Sequence, residues 1–219
     1  MATGVSTGYL NQIIAEATAA ALDSRQMEFY GQISRHPSFN PLAGYIFKTF
    51  FCAWFLGRRK SPTLHCPPLS HTRSGPSLQV IPVCSEAHRI SDMESLKEAG
   101  RLNPPFGWWL DSPSFTTVNA IACTDNRIIT IQVMVTPTCS CVDLAVLDEM
   151  KGNFPPTFLA RRKWCHIFVT DEEYKAAHLR TNDYNGLTER SISAHSAVVD
   201  ISELRLSVED IRQAGETSR

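Results

Sequence analysis

No run of apolar residues in this chain is long enough to cross a bilayer. The longest, Phe50 to Leu56, falls far short of the ~20 residues that a spanning helix needs. Neither charge is in excess: 21 Lys and Arg stand against 22 Asp and Glu, a formal net charge of −1. No global basic field therefore draws the chain to nucleic acid or to acidic membranes, although a local patch remains open. A glycine-rich phosphate loop, internal repeats and a C-terminal lipidation box are all missing. Met1 to Leu10 carries neither the basic region nor the apolar core of a secretory signal. The seven cysteines are odd in number and irregularly spaced, which argues against a disulfide framework. Reduced thiols in an intracellular compartment, cytoplasm or nucleus, are the expectation.

What is present suits a globular α/β domain. The 219 residues accommodate one domain with an N-terminal helical extension, 1–35 and 36–219. Residues 8–34 have an Ala-rich helical pattern that the His36-Pro37 step ends. A second helix, capped by Ser38 or Asn40, runs through Ile46, Phe47, Phe50, Phe51, Trp54 and Phe55 and is apolar over much of its circumference. Gly57 and the cluster Arg58-Arg59-Lys60 close it; a capped, solvated end is favoured there over a phosphate contact. Residues 61–77, rich in Pro, Ser, Thr and His, read as a loop. Further on, strands are expected at Leu78–Val83, Phe106–Leu110, Trp164–Thr170 and Ala194–Ile201. Helices are expected at Ser91–Gly100, Cys139–Lys151 and Asp171–Leu179, with Asn182–Gly186 as a loop and Ser207 opening a terminal helix before a frayed tail at 214–219. The Trp164–Thr170 run is apolar on both faces, as a central strand requires. Strands alternating with helices in its second half predict a mixed central sheet flanked by helices.

The sharpest local signal is 117–135. Two β-branched runs flank Thr124-Asp125-Asn126, which predicts a hairpin. In the second run Ile129, Ile131, Val133 and Val135 point one way, and Ile128, Thr130, Gln132 and Met134 the other. The first set should be buried with Phe168 and with Phe47 or Trp54. Gln132 and Met134 then project side by side, and Asn119 on the partner strand is placed to face them.

Other constellations are weaker. His65, Cys66, His71, Cys84 and His88 have a spacing that superficially suits zinc, but the ligand order matches no familiar finger, and a strand lies within it. Cys139-Ser140-Cys141 reads as a buried or capping pair. Cys165 and His166 are adjacent on a strand, so they face opposite ways and cannot act as a dyad; His195 on the last strand is the candidate partner for either.

Four segments carry a family resemblance: Ala43-Gly44-Tyr45-Ile46-Phe47, Val118-Asn119-Ala120-Ile121, Ile131-Gln132-Val133 and Trp164-Cys165-His166-Ile167-Phe168-Val169. Across residues 26–212 the chain resembles the restriction-endonuclease-like domain of the PD-(D/E)XK superfamily, as found in fungal retrotransposon hot spot and Crinkler-like proteins. The resemblance implies a restriction-endonuclease-like core. It also implies a site that binds Mg2+ or Mn2+ where an acid, a second acid or amide, and a lysine share one face of a hairpin. Relatives of this kind often carry a P-loop ATPase ahead of the domain, so this chain looks like the isolated C-terminal module.

Carried over by position, the acid falls on Asn119, the acid-or-amide position on Gln132, the lysine on Met134, and an acid of the leading helix on Lys48. Neutral amides are weak ligands for a hard divalent cation, and a thioether cannot orient a water. The resemblance therefore implies a pseudoenzyme: a degenerate nuclease-like domain, inactive or weakly active, holding no cofactor unless a metal site survives. Asp143, Asp148 and Glu149 are the residues to which metal ligands might have migrated; a solvated helix face is the plainer reading of all three. Nucleic acid, bound weakly, or a protein are the implied partners, with no membrane. The alternative is a non-catalytic protein-interaction module on the same α/β scaffold.

Overall fold

The computed structural model describes residues 26–56, 63–69, 77–80, 86–110, 115, 117–134, 142–173, 176, 185–200 and 204. Helix α1 (Gln26–Ser34) leads through a short 3-10 turn into α2 (Asn40–Leu56), with Pro41 at a tolerated first-turn position. Strands β1 (Leu64–Cys66) and β2 (Leu78–Val80) pair as a small antiparallel ribbon. The main sheet has six strands in sequence order: β3 (Glu86–Ile90), β4 (Phe106–Leu110), β5 (Ala120–Cys123), β6 (Arg127–Met134), β7 (Lys163–Thr170) and β8 (Ile192–Val198). The β4-β5-β6 meander is antiparallel; β3 joins β4, β7 joins β6 and β8 joins β7 in parallel. A 3-10 helix at Met93–Arg101 links β3 to β4. Helices α3 (Leu144–Asn153) and α4 (Pro156–Leu159) link β6 to β7, and α5 (Asn185–Glu189) precedes β8. The sheet is thus mixed and flanked by helices, as the alternation of elements predicts.

Side-chain alternation sorts the sheet into two apolar layers. On the first face lie Trp109, Ala120, Ala122, Ile129, Ile131, Ile167 and Val169, under α2 and the β1-β2 ribbon. Phe47, Phe51 and Phe55 of α2 are fully buried there, and β5 offers only alanines to that layer, which leaves room for the rings. Tyr30 and Ile33 of α1 join this layer, and the Tyr30 hydroxyl donates to Asp171 Oδ2 at 2.8 Å beyond the end of β7. On the second face lie Phe106, Trp108, Ile121, Ile128, Met134, Trp164 and Phe168, under the 3-10 helix, α3, α4 and α5. Phe168 is therefore not packed with Ile129 and Ile131: it pairs in register with Gln132 and shares that residue's face. The expected partners Phe47 and Trp54 do lie in the same layer as Ile129, Ile131 and Val133. Among the described residues, no helix is long and apolar enough to cross a membrane.

Several boundaries differ from the sequence expectation. The stretch 61–77 is not all loop. Leu64 and Cys66 turn inward from β1, and residues 67–69 lie along β8 as a strap: Ser196 N–H donates to Pro67 O, and Leu69 N–H to Ala194 O. Three inward residues spread among prolines and histidines are too few to register as periodicity. Strand β3 was missed because Ala87-His88-Arg89 shows no apolar alternation. The helix expected from Cys139 begins at Leu144, because Asp143 Oδ1 takes the free N–H groups of Ala145 and Val146 at 3.0 and 3.3 Å. Asp92 similarly caps the 3-10 helix through Ser95 N–H, and that helix runs one residue past Gly100. Asn185 and Gly186, expected in a loop, open the helix Asn185–Glu189, and Gly186 lies so close to the Leu144 side chain that a β-carbon there would force Leu144 to move. The last strand starts earlier and stops sooner than expected. Residues 8–25, 57–60, most of 171–179 and the Ser207 helix lie outside the described residues.

Ile131 is fully buried between β6 and α2. Ile131→Asp sinks an unpaired carboxylate there and should cost on the order of several kcal/mol, a large share of a domain's stability. Val133→Asp, at a half-buried position of the same strand, should cost clearly less. Urea unfolding of both variants checks the difference in burial along this face; equal losses would refute it.

Candidate functional site

The β5-β6 ladder ends at the pair Ala120↔Ile131, and Asn119 finishes it by another means. Its backbone N–H donates to Ile131 O at 2.7 Å. Its side-chain Oδ1 accepts the N–H of Val133, also at 2.7 Å. Leu110 N–H donates to the Asn119 carbonyl, and the Cys52 thiol of α2 approaches the same oxygen at 3.8 Å. Continuing the ladder places Asn119 opposite Gln132, as the hairpin reading expects.

Gln132 and Met134 lie on the second face, as alternation requires. Gln132 is 6% exposed, and its Oε1 is buried without a hydrogen bond. Met134, also 6% exposed, belongs to the apolar layer and pairs in register with Thr170. Lys48 is half-buried on α2, one helical turn before Cys52, on the helix that covers the first face. Around Asn119, Gln132 and Met134 the carried-over positions supply two neutral amides and a thioether, and no fixed negative charge.

The carboxylates of α3 do not compensate. Asp143 is spent as the helix cap. Asp148 accepts two hydrogen bonds from the Arg190 guanidinium, at 2.8 and 2.6 Å, which hold its carboxyl below the usual range. Glu149 is exposed. Among the described residues, no three His, Cys, Asp or Glu side chains gather as a metal site. Of the zinc-like set, His65 points outward and Cys66 inward on β1, while His71 and Cys84 lie outside the described residues.

A buried polar network that sequence reading missed runs along the same face. Thr130 is its hub. Its Oγ1 accepts from Trp164 Nε1 at 3.1 Å, lies 2.9 Å from His166 Nδ1, and reaches the Cys165 carbonyl at 3.2 Å. Thr130 and His166 are register partners across β6 and β7, and neither is exposed. Burial pushes the His166 pKa down to about 3, so the ring is neutral. Its edge contacts Phe168, with centroids 4.7 Å apart. A threonine inside an otherwise aliphatic run was the available signal; its partner could not be identified without the register.

Among the described residues, the histidines and cysteines singled out above do not pair as a nucleophile and its base. Cys165 belongs to the first layer, whereas His166 joins Thr130 on the second face, so the two are separated by the sheet. His195 turns to the first layer, with Nδ1 3.1 Å from the Cys66 carbonyl and Nε2 3.2 Å from Ser193 Oγ. Burial pushes the Cys66 thiol up to about 12, which keeps it protonated and a poor nucleophile. Comparison with family models, with curated proteins and with solved structures finds no match to this chain.

The two buried histidines set an acid limit. Unfolded, His166 takes a proton near the ordinary 6.5; folded, it stays neutral down to about 3. Between those values the unfolded chain binds more protons, so stability falls as pH falls, by about 1.4 kcal/mol per pH unit from one such residue. His195, also held low by burial, acts in the same direction. Above pH 7 neither contributes a slope. Denaturation midpoints from pH 7 to pH 4 should show this loss, and His166→Phe should make the decline shallower by about one proton's worth.

Proposed function

We propose that this chain is a degenerate nuclease-like domain of PD-(D/E)XK type, related to retrotransposon hot spot and Crinkler-like proteins, in which the site has been converted into structure. The observation that carries this reading is the hydrogen bond from Val133 N–H to Asn119 Oδ1. An oxygen at the acid position now completes the strand pairing in place of a backbone carbonyl. An amide does this without charge, whereas a carboxylate there would also offer a charged ligand to a divalent cation. Opposite it, Gln132 is neutral, and Met134 is packed as core. A nuclease that works by metal-activated water needs concentrated negative charge and a polar helper, and these three side chains supply neither. The chain then acts by binding rather than by hydrolysis, in the cytoplasm or nucleus, on a weakly held nucleic acid or a protein partner.

The frame itself is open to a direct test. Asn119→Asp keeps the acceptor that Val133 requires and adds charge, and Gln132→Glu adds a second carboxylate across the ladder. The parent should show no rise in melting temperature with Mg2+ or Mn2+, because Asn119, Gln132 and Met134 offer no fixed charge that would bind the ion in preference to the unfolded chain. The double variant should melt lower without metal and recover by several degrees with Mn2+. Met134→Lys is left out, because an ammonium group inside the apolar layer would destabilise the fold for reasons unrelated to metal. A folded double variant whose metal response matches the parent's would show that the two positions do not converge, and the nuclease-like reading would fall with it.

A further inference from the structure

The opposite end of the hairpin carries a feature that the reading above does not use. Arg127 opens β6 and Lys163 opens β7, and they are register partners. Both continue the alternation of Ile129, Ile131, Cys165 and Ile167, so two cations stand side by side on one face, an arrangement that costs stability. Arg161 is exposed beside them. Arg162 is fixed in place: Nε donates to Thr124 O at 2.8 Å, Nη1 donates to Phe158 O at 3.0 Å, and the guanidinium lies 3.8 Å over the Phe158 ring. Lys163 N–H donates to Asn126 O, which holds this segment against the hairpin turn. The turn contributes one carboxylate, Asp125. Among the described residues, Arg127, Arg161 and Lys163 form no ion pair. In a chain of net charge −1, Arg127, Arg161 and Lys163 thus stand at one end of the hairpin, with Asp125 the acid of the adjoining turn.

We propose that this turn-end rim, formed by Arg127, Arg161 and Lys163, is a docking surface for the phosphate backbone of duplex DNA. Two of the three are arginines, whose planar fork matches phosphate oxygens. A membrane surface would call for apolar side chains to insert, and an acidic protein for an apolar anchor. The large apolar side chains exposed among the described residues are Phe39 and Val198, and neither lies on this rim. Among the described residues of the rim there is no exposed aromatic ring for unpaired bases to stack on, so a single strand gains nothing over a duplex there. The side chains of Thr124 and Asn126 are bonded to each other, so the contact reads charge rather than bases. The rim is about 17 Å along β6 from Gln132, at the ~3.3 Å rise of a strand residue. It stands independently of the nuclease-like reading.

The test is binding of a short fluorescent duplex to the full chain, followed by anisotropy across a salt series. About three phosphate contacts give a slope near −2.7 in log K against log salt, so a fourfold rise in salt should weaken binding roughly 40-fold. Arg127→Gln, Arg161→Gln and Lys163→Gln should each reduce the slope by about one, and the triple variant should nearly abolish binding. Lys97→Gln, at an exposed cation paired with Glu94 on the 3-10 helix, should change nothing. Circular dichroism checks that each variant is folded. The proposal is overturned if the parent does not bind duplex at low salt, or if a folded triple variant binds as the parent does. It is equally overturned if single strands, an acidic peptide or anionic vesicles bind better than duplex. None of these outcomes touches the metal response of Asn119→Asp with Gln132→Glu, so either proposal can fail alone.

Discussion

Strands β6 and β7 run parallel over eight register pairs, from Arg127↔Lys163 to Met134↔Thr170, and past the first pair almost no side chain of either reaches water. A parallel pair cannot be closed by a tight turn; it needs a crossover, and here α3 and α4 provide it. Because both faces of the pair are dry, cover is required on each. The crossover covers one face with Leu147, Met150, Phe154 and Phe158. The other is left to a helix from earlier in the chain, and α2 meets that need with Phe47, Phe51 and Phe55. The remaining strands extend this arrangement outward.

Much of this was legible in the sequence. The alternation in β6 gave its face assignment, the apolar run at β7 gave its central place, and the Phe-rich pattern of α2 gave its burial. These signals are strong because each is repeated over many residues. Phe168 was placed on the wrong face because β7 is apolar on both sides, so its sequence has no alternation to orient it. Strands β1 and β3 were lost for the opposite reason: they are short, and half their residues are polar. At the site, the alignment of Asn119, Gln132 and Met134 on one hairpin was legible, whereas the bond between Asn119 and Val133 was not. It depends on where the β5-β6 ladder stops, and no local pattern encodes that.

The interior also shows how polar groups are tolerated without function. Thr130 serves Trp164, His166 and the Cys165 carbonyl at once, which lets three polar groups sit in an apolar layer with most of their hydrogen bonds made. The network ties β6 to β7 by side chains where the ladder already ties them by backbone. His166 remains neutral within it, so its ring serves as packing against Phe168 and as a fixed partner to Thr130.

The strap along β8 has a consequence of its own. Open sheet margins invite a foreign strand to add on, and soluble proteins commonly blunt them. Here the chain's own residues 67–69 occupy the margin of β8, and two of the three are prolines. Pro67 and Leu69 bond to β8, which leaves Pro68 to face outward; a proline has no N–H to present there, so an intruding strand that aligned on the strap would find a donor missing. The strap therefore acts as a terminator: it accepts pairing from one side and cannot hand the pattern on. A sequence motif that reads as loop-forming thus serves as a guard against edge-to-edge self-association.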